Sequence, residues 1–222
     1  MVKYFVLGFD RTANNTLHET FKGNGKRSLQ ASKYRNRIAE LPVDDYDAFS
    51  GCFFGNFSRI PELYSKYPDA QFIWNIRPTR DTIISRLKNE FHWWCTQPSF
   101  KEEYDAGNDA CWDEILYMDD YLQQRMQYHS KLWTLTQKSV AKAANVHLVN
   151  VEDPEWLFVL CRVLEMTPPV NQRQHESTVD AAALARITAY VDSALAKSPF
   201  YAQNQTLDAS VIAASMTSAP SP

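Results

Sequence analysis

KYFVLG at residues 3–8, running directly into FDRTANNTL at 9–17, is the stretch on which the reading of this chain turns. Its first part is a short, nearly continuous apolar run ending in Gly8, the pattern of a strand buried on both faces of a parallel sheet. Its second part opens a helix over Asn14–Lys22, with Leu17 and Phe21 at i,i+4 and glycines at 23 and 25 to stop it. A strand that turns straight into a helix aims free backbone N–H groups and the positive helix end at one point, which is a candidate anion site. Arg11 adds a formal charge there, and Thr12, Asn14, Asn15 and Thr16 add short polar side chains. A plain strand-to-helix turn with an ordinary cap would carry the same residue types.

Further strands are expected over Asp47–Phe54, Gln71–Arg77 (QFIWNIR) and Val146–Val151 (VHLVNV). Helices are expected over Ser58–Tyr67, Thr79–Asn89, a long pattern from Cys111 to Ala144 with a break near 119–120, 154–165 behind an Asp153-Pro154 cap, and 179–197. Residues 26–45 read as loop with a possible helix, and 91–110 as an aromatic loop. Strands alternating with helices argue for an α/β fold with a central parallel sheet flanked by helices. Ligands in such sheets sit at the carboxyl ends of the strands. One domain is expected over 1–200 and a flexible, Ala/Ser/Thr/Pro-rich tail over 201–222.

The 222 residues are 45% hydrophobic and 22% charged, ordinary values for a globular chain. The formal net charge of −3 provides no basic field, so nucleic acid is not an expected partner. No apolar run approaches the roughly 18–20 residues of a membrane span. The N-terminus reads as a strand and not as a signal peptide, so a cytoplasmic location is expected. Cys52, Cys95, Cys111 and Cys161 show no metal-type spacing and read as reduced, structural thiols, with no metal site.

A second strand end carries chemistry. Arg77 closes QFIWNIR, and Ser85 follows eight positions later on the next helix. The two reach a common anion if that helix folds back; otherwise they are an ordinary ion-paired Arg and an exposed Ser. The aromatics Phe91, Trp93, Trp94, Phe100, Tyr104 and Trp112 either line a pocket or cover the sheet as core.

Taken together, GFDRTANNTL at 8–17 and FIWNIRPTRDTIISRL at 72–87 resemble the sulfotransferase family of P-loop-like α/β proteins. Its soluble bacterial-type members open with a strand reading like GxPRTGTTSL and carry a later strand ending in Arg, with Ser eight residues on. DAFSGCFFGNFSRIPELYSKYPDAQF and VHLVNVEDPEWLFVLCRVLEMTPP are similar to two further segments of that family, in the same order. The resemblance covers roughly residues 3–175.

It implies that Arg11, Thr12, Ala13, Asn14, Asn15 and Thr16 hold the 5′-phosphosulfate end of 3′-phosphoadenosine 5′-phosphosulfate (PAPS). Arg77 and Ser85 would then hold the 3′-phosphate. The reaction implied is in-line transfer of a sulfuryl group to a hydroxyl or amine of a small-molecule or glycan acceptor, leaving adenosine 3′,5′-bisphosphate. Positioning and charge stabilisation would dominate such a transfer. Arg11 would neutralise the leaving phosphate, with Asp47 or His18 as the base. His92, in the aromatic stretch, reads as a packing or acceptor-site residue; His129 and His147 read as structural; His175 is a candidate to close the site.

The chain departs from the family pattern within the loop. The family's glycine is Ala13, its two threonines are Asn14 and Asn15, its proline is Asp10, and a lead-in aspartate is Gly51. Two rivals therefore stand beside the transferase: a non-catalytic binding or interaction protein of the same fold, and a nucleotide-dependent phosphotransferase. The second lacks the GK[ST] of a Walker loop.

Overall fold

The apolar strands pair as their patterns require. In the computed structural model, which describes residues 2–9, 11–30, 34, 38–51, 60–135, 145–169 and 179–215, five strands form one all-parallel sheet. They are β1 (Tyr4–Val6), β2 (Ser28–Gln30), β3 (Ala48–Ser50), β4 (Gln71–Ile76) and β5 (Val146–Asn150), in the order β2-β3-β1-β4-β5. Tyr4 is in register with Ala48 on one side and Gln71 on the other, and Ile73 with His147. The chain leaves β1 toward β2 and leaves β4 toward β5, in opposite directions. The crevice between the carboxyl ends of β1 and β4 is thus the topological switch point, where open α/β sheets place ligands.

Side chains alternate across the pleat. Tyr4, Val6, Ala48, Ile73 and Val149 lie in one buried cluster with Leu17 and Phe21 of α1 (Asn14–Gly23) and Trp156, Leu157 and Leu160 of α7 (Trp156–Val163). On the opposite side of the pleat Phe5 stacks on Phe49 and Phe72, with ring centres 5.4 and 5.3 Å apart. Tyr64 of α2 (Ile60–Lys66) meets Phe72. Trp74 stacks on His129 of α6 (Met118–Leu135) and donates its indole N–H to Nδ1, 3.2 Å away. His129 is wholly buried, and His147 is also buried, with Nε2 2.6 Å from Gln71 Oε1.

A single domain is expected over 1–200; the chain divides into two compact units. The first comprises residues 1–77, 128–175 and 208–222 and holds the sheet; the second comprises 78–127 and 176–207. The second unit is helical: α3 (Thr79–Trp94), α4 (Pro98–Asp105), α5 (Cys111–Leu116), the start of α6, α8 (Ala181–Lys197) and the start of α9 (Tyr201–Ala213). Its core is aromatic. Phe91, Phe100 and Tyr104 pack on Trp112 with ring centres 5.9, 5.1 and 5.8 Å away. Arg186 of α8 lies over the Tyr104 ring and bonds Asp109 at 2.9 Å.

Several expectations change. Residues 91–110 are largely helical, because Pro98 takes the first position of α4 instead of breaking it. The break in the long pattern falls at Tyr117, whose φ of 45° ends α5. Residues 28–30 form an edge strand, created by pairing with β3 and not by any apolar run of their own. α7 begins at Trp156, two residues later than expected, and Asp153 caps the turn that leads into it: its Oδ1 accepts from the Glu155 amide at 2.8 Å and its carbonyl from the Trp156 amide at 3.2 Å. Tyr201–Ala213 is helix α9, not tail. Its buried residues, Asn204, Asp208 and Val211, are mostly polar, which hides the helical stripe from an apolar count. The thiols of Cys95, Cys111 and Cys161 are free, and burial pushes Cys111 and Cys161 up to about 11. No helix among the described residues is long and apolar enough to cross a membrane.

Candidate functional site

The turn after β1 is built on two left-handed residues. Arg11 has φ 59° and Ala13 φ 65°, a conformation that costs roughly 1–2 kcal/mol for a residue bearing a Cβ. Strain of this kind persists only where surrounding contacts enforce it, and it concentrates at functional sites. Ala13 is also the N-cap of α1 and makes no side-chain cap bond. The first-turn amides of α1 thus lack the acceptor that a Ser or Asp cap would supply, at the positive end of the helix.

Of the polar side chains expected to line the site, those of Thr12, Asn14 and Asn15 bond within the fold. The Thr12 hydroxyl, wholly buried, donates to the Phe9 carbonyl at 2.6 Å, and Asn14 Nδ2 donates to the same oxygen at 3.0 Å. Asn15 Oδ1 accepts from Gln30 at the end of β2. Thr16 is buried, and its carbonyl accepts from Thr20 at 2.8 Å. The remaining groups of the loop with the chemistry to meet an anion are its backbone amides and the Arg11 guanidinium.

Arg77 arrives from the neighbouring strand. Its Nη1 donates to the Arg11 carbonyl at 2.9 Å, and its Nε lies 2.5 Å from Glu152 Oε1, two residues past β5. One guanidinium thereby links the ends of β1, β4 and β5. Ser85 stands on α3, in the second unit.

The two candidate bases are not at the loop. Asp47 precedes β3, and its carbonyl accepts from the Tyr4 amide at 2.8 Å, which puts it at the amino end of the sheet. Its carboxylate takes the Arg27 guanidinium at 3.1 Å and the Arg27 amide at 2.9 Å, and these bonds hold it below the usual carboxylate range. His18 turns toward β2, with Nδ1 2.8 Å from Ser28 Oγ, and burial lowers its pKa. His92 lies near the end of α3 with its ring edge-on to Trp93. Asp10 and His175 lie outside the described residues.

Two residues of the site escape a motif reading. Asn75 is the single non-aromatic polar residue within the buried run FIWNI, and it bonds the loop from below. Its signal was a polar group where a parallel strand should be apolar. Glu152 gave no signal, since its partner is 75 positions away. Among the described residues no group of three or more His, Cys, Asp or Glu side chains is placed to hold a metal ion.

No family model matches the chain. No curated protein matches it either.

Proposed function

We propose that the chain binds the anionic nucleotide PAPS at the carboxyl end of β1 and acts as a sulfotransferase on a hydroxyl or amine acceptor. One observation carries the reading: a strained, uncapped helix N-terminus lies at the switch point of a parallel sheet, with Arg11 on the loop and Arg77 anchored to it. Amides and guanidinium groups converging there suit a dianionic phosphate or phosphosulfate. The chemistry asked of the chain is positioning of the donor and neutralisation of the leaving phosphate by Arg11.

A second reading is favoured by a different observation. Asp47 and His18 are both engaged away from the loop, so neither serves as a base in this arrangement. A protein of this fold that binds the nucleotide without transferring sulfate needs no base.

Calorimetric titration with adenosine 3′,5′-bisphosphate tests the first step. Micromolar binding that is lost in Arg11→Ala supports the donor site; no binding at millimolar ligand overturns it. Labelled PAPS offered with a panel of hydroxyl and amine acceptors then separates the readings. Transfer supports the enzyme, and binding without transfer supports the second reading.

A further inference from the structure

Asn75 sits near the carboxyl end of β4, wholly buried, beside Gly8 at the end of the β1 segment. Burying a carboxamide in a sheet is unfavourable by several kcal/mol unless its groups are bonded. The Nδ2 hydrogens of Asn75 go to the loop. They meet the Thr12 carbonyl in a short contact, Thr12 Oγ1 at 3.2 Å and Asn14 Oδ1 at 3.1 Å. The Thr12 hydroxyl proton is already given to Phe9, so its oxygen is an acceptor toward Asn75. Asn75 Oδ1 finds no hydrogen-bond partner among the described residues. Gly8 belongs to the same device: a Cβ there would run into the Asn75 carboxamide. Gly8 does not have a positive φ, so close approach, and not backbone conformation, is what requires a glycine.

We infer that Asn75 is a positioning residue that holds the Arg11–Ala13 turn in its double left-handed form and so sets the direction of the α1 amides toward an anion. The inference rests on the reading of that loop as the donor site. Asn75 acts through Thr12 and Asn14 and is not itself assigned a contact with the ligand. A residue kept merely to fill space would be an apolar side chain of similar volume, which would leave the Thr12 carbonyl without this donor.

The test compares Asn75→Ala, Asn75→Asp and Asn75→Thr with the wild-type chain. Three quantities are measured: affinity for inorganic sulfate and for adenosine 3′,5′-bisphosphate, thermal midpoint, and amide hydrogen exchange over residues 11–16. Asn75→Ala should weaken bisphosphate binding by roughly tenfold at temperatures where the variant remains folded. Asn75→Asp should be weaker still at pH 7.5 and recover relative to wild type near pH 5, where a protonated carboxyl regains a donor. Asn75→Thr, with a hydroxyl donor and good strand propensity, should retain most of the affinity. Folded variants that bind within twofold of wild type at both pH values overturn the inference. If the wild type binds neither probe, the donor-site reading falls by itself. Amide exchange then decides on Asn75: faster exchange at 11–16 than across β4 in Asn75→Ala supports it, and a uniform change or none overturns it.

Discussion

The Arg77 guanidinium bonds the carbonyl oxygen of Arg11 at 2.9 Å, so the end of β4 holds the loop that follows β1. The same guanidinium meets the Glu152 carboxylate, a contact with which an anion bound at the proposed donor site would compete. Hydrogen bonds to charged groups contribute about 1.5–3 kcal/mol, or roughly 10–100-fold in affinity. Arg77→Ala is therefore expected to weaken adenosine 3′,5′-bisphosphate binding by that factor. Glu152→Gln is expected to strengthen it severalfold, most at low salt. Calorimetric titration of both variants checks this, and weaker binding in Glu152→Gln would show that the pair supports the site instead of competing with it.

Ala13 takes φ 65° and ψ 25° without a glycine's freedom. Ala13→Gly removes the Cβ clash, and the glycine's extra unfolded-state entropy offsets part of the gain. The expected result is a rise in unfolding free energy of about 0.5–1 kcal/mol, with Ala13→Val moving the opposite way. Urea denaturation midpoints measure it. No gain in the glycine variant would mean that the turn is not strained at this residue.

His147 and His18 both have pKa values lowered by burial. The folded protein then binds fewer protons than the unfolded chain below the unfolded histidine pKa of about 6.5. Stability should accordingly rise with pH from the lowered folded values up to the unfolded value of about 6.5 and level off above that. His147→Gln, which keeps an amide partner for Gln71, should flatten this slope. Chemical denaturation at pH 5.5 and 7.5 tests it; a wild-type slope unchanged in the variant assigns the effect elsewhere.

Asp47 titrates in the other direction. Its pKa is depressed by the bonds from Arg27, so the stability it contributes is present above about pH 4 and lost as pH falls through the lowered value. The Arg27 side chain, whose bond is the main cause of the shift, is largely exposed, which discounts the ion pair as a source of stability; the Arg27 amide bond adds to it. Asp47→Asn should cost about 1–2 kcal/mol at pH 7 and reduce the acid-side loss of stability. Denaturation curves from pH 3 to 7 check it, and an unchanged acid limb would count against this account.

The readable parts of the chain were those with a local physical signature. β4 and β5 are apolar runs bounded by turns, and α1 and α8 have helical periodicity with recognisable ends, Asp180 capping α8 through the Ala183 amide at 2.7 Å. α9 was illegible because it buries Asn204 and Asp208, and 91–110 because Pro98 starts a helix as readily as it ends one. For the site, Arg11 and Arg77 were both legible as charges at strand ends. Their direct contact was not, nor was the role of Thr12 and Asn14 in bracing the turn.

By itself the sequence determined that buried strands alternate with helices, and hence that the sheet is parallel, because apolar runs joined by crossover helices have no other low-energy arrangement. It also placed a turn and a helix start directly after β1. Strand order was decided only in the tertiary structure, since an apolar strand is satisfied by any apolar neighbour. Seating β4 beside β1 brought Asn75 under Thr12 and Arg77 onto Arg11 across more than sixty residues of chain. The same parallel register left Asp47 at the opposite end of the sheet, since a residue before a strand and a loop after its neighbour lie a full strand length apart.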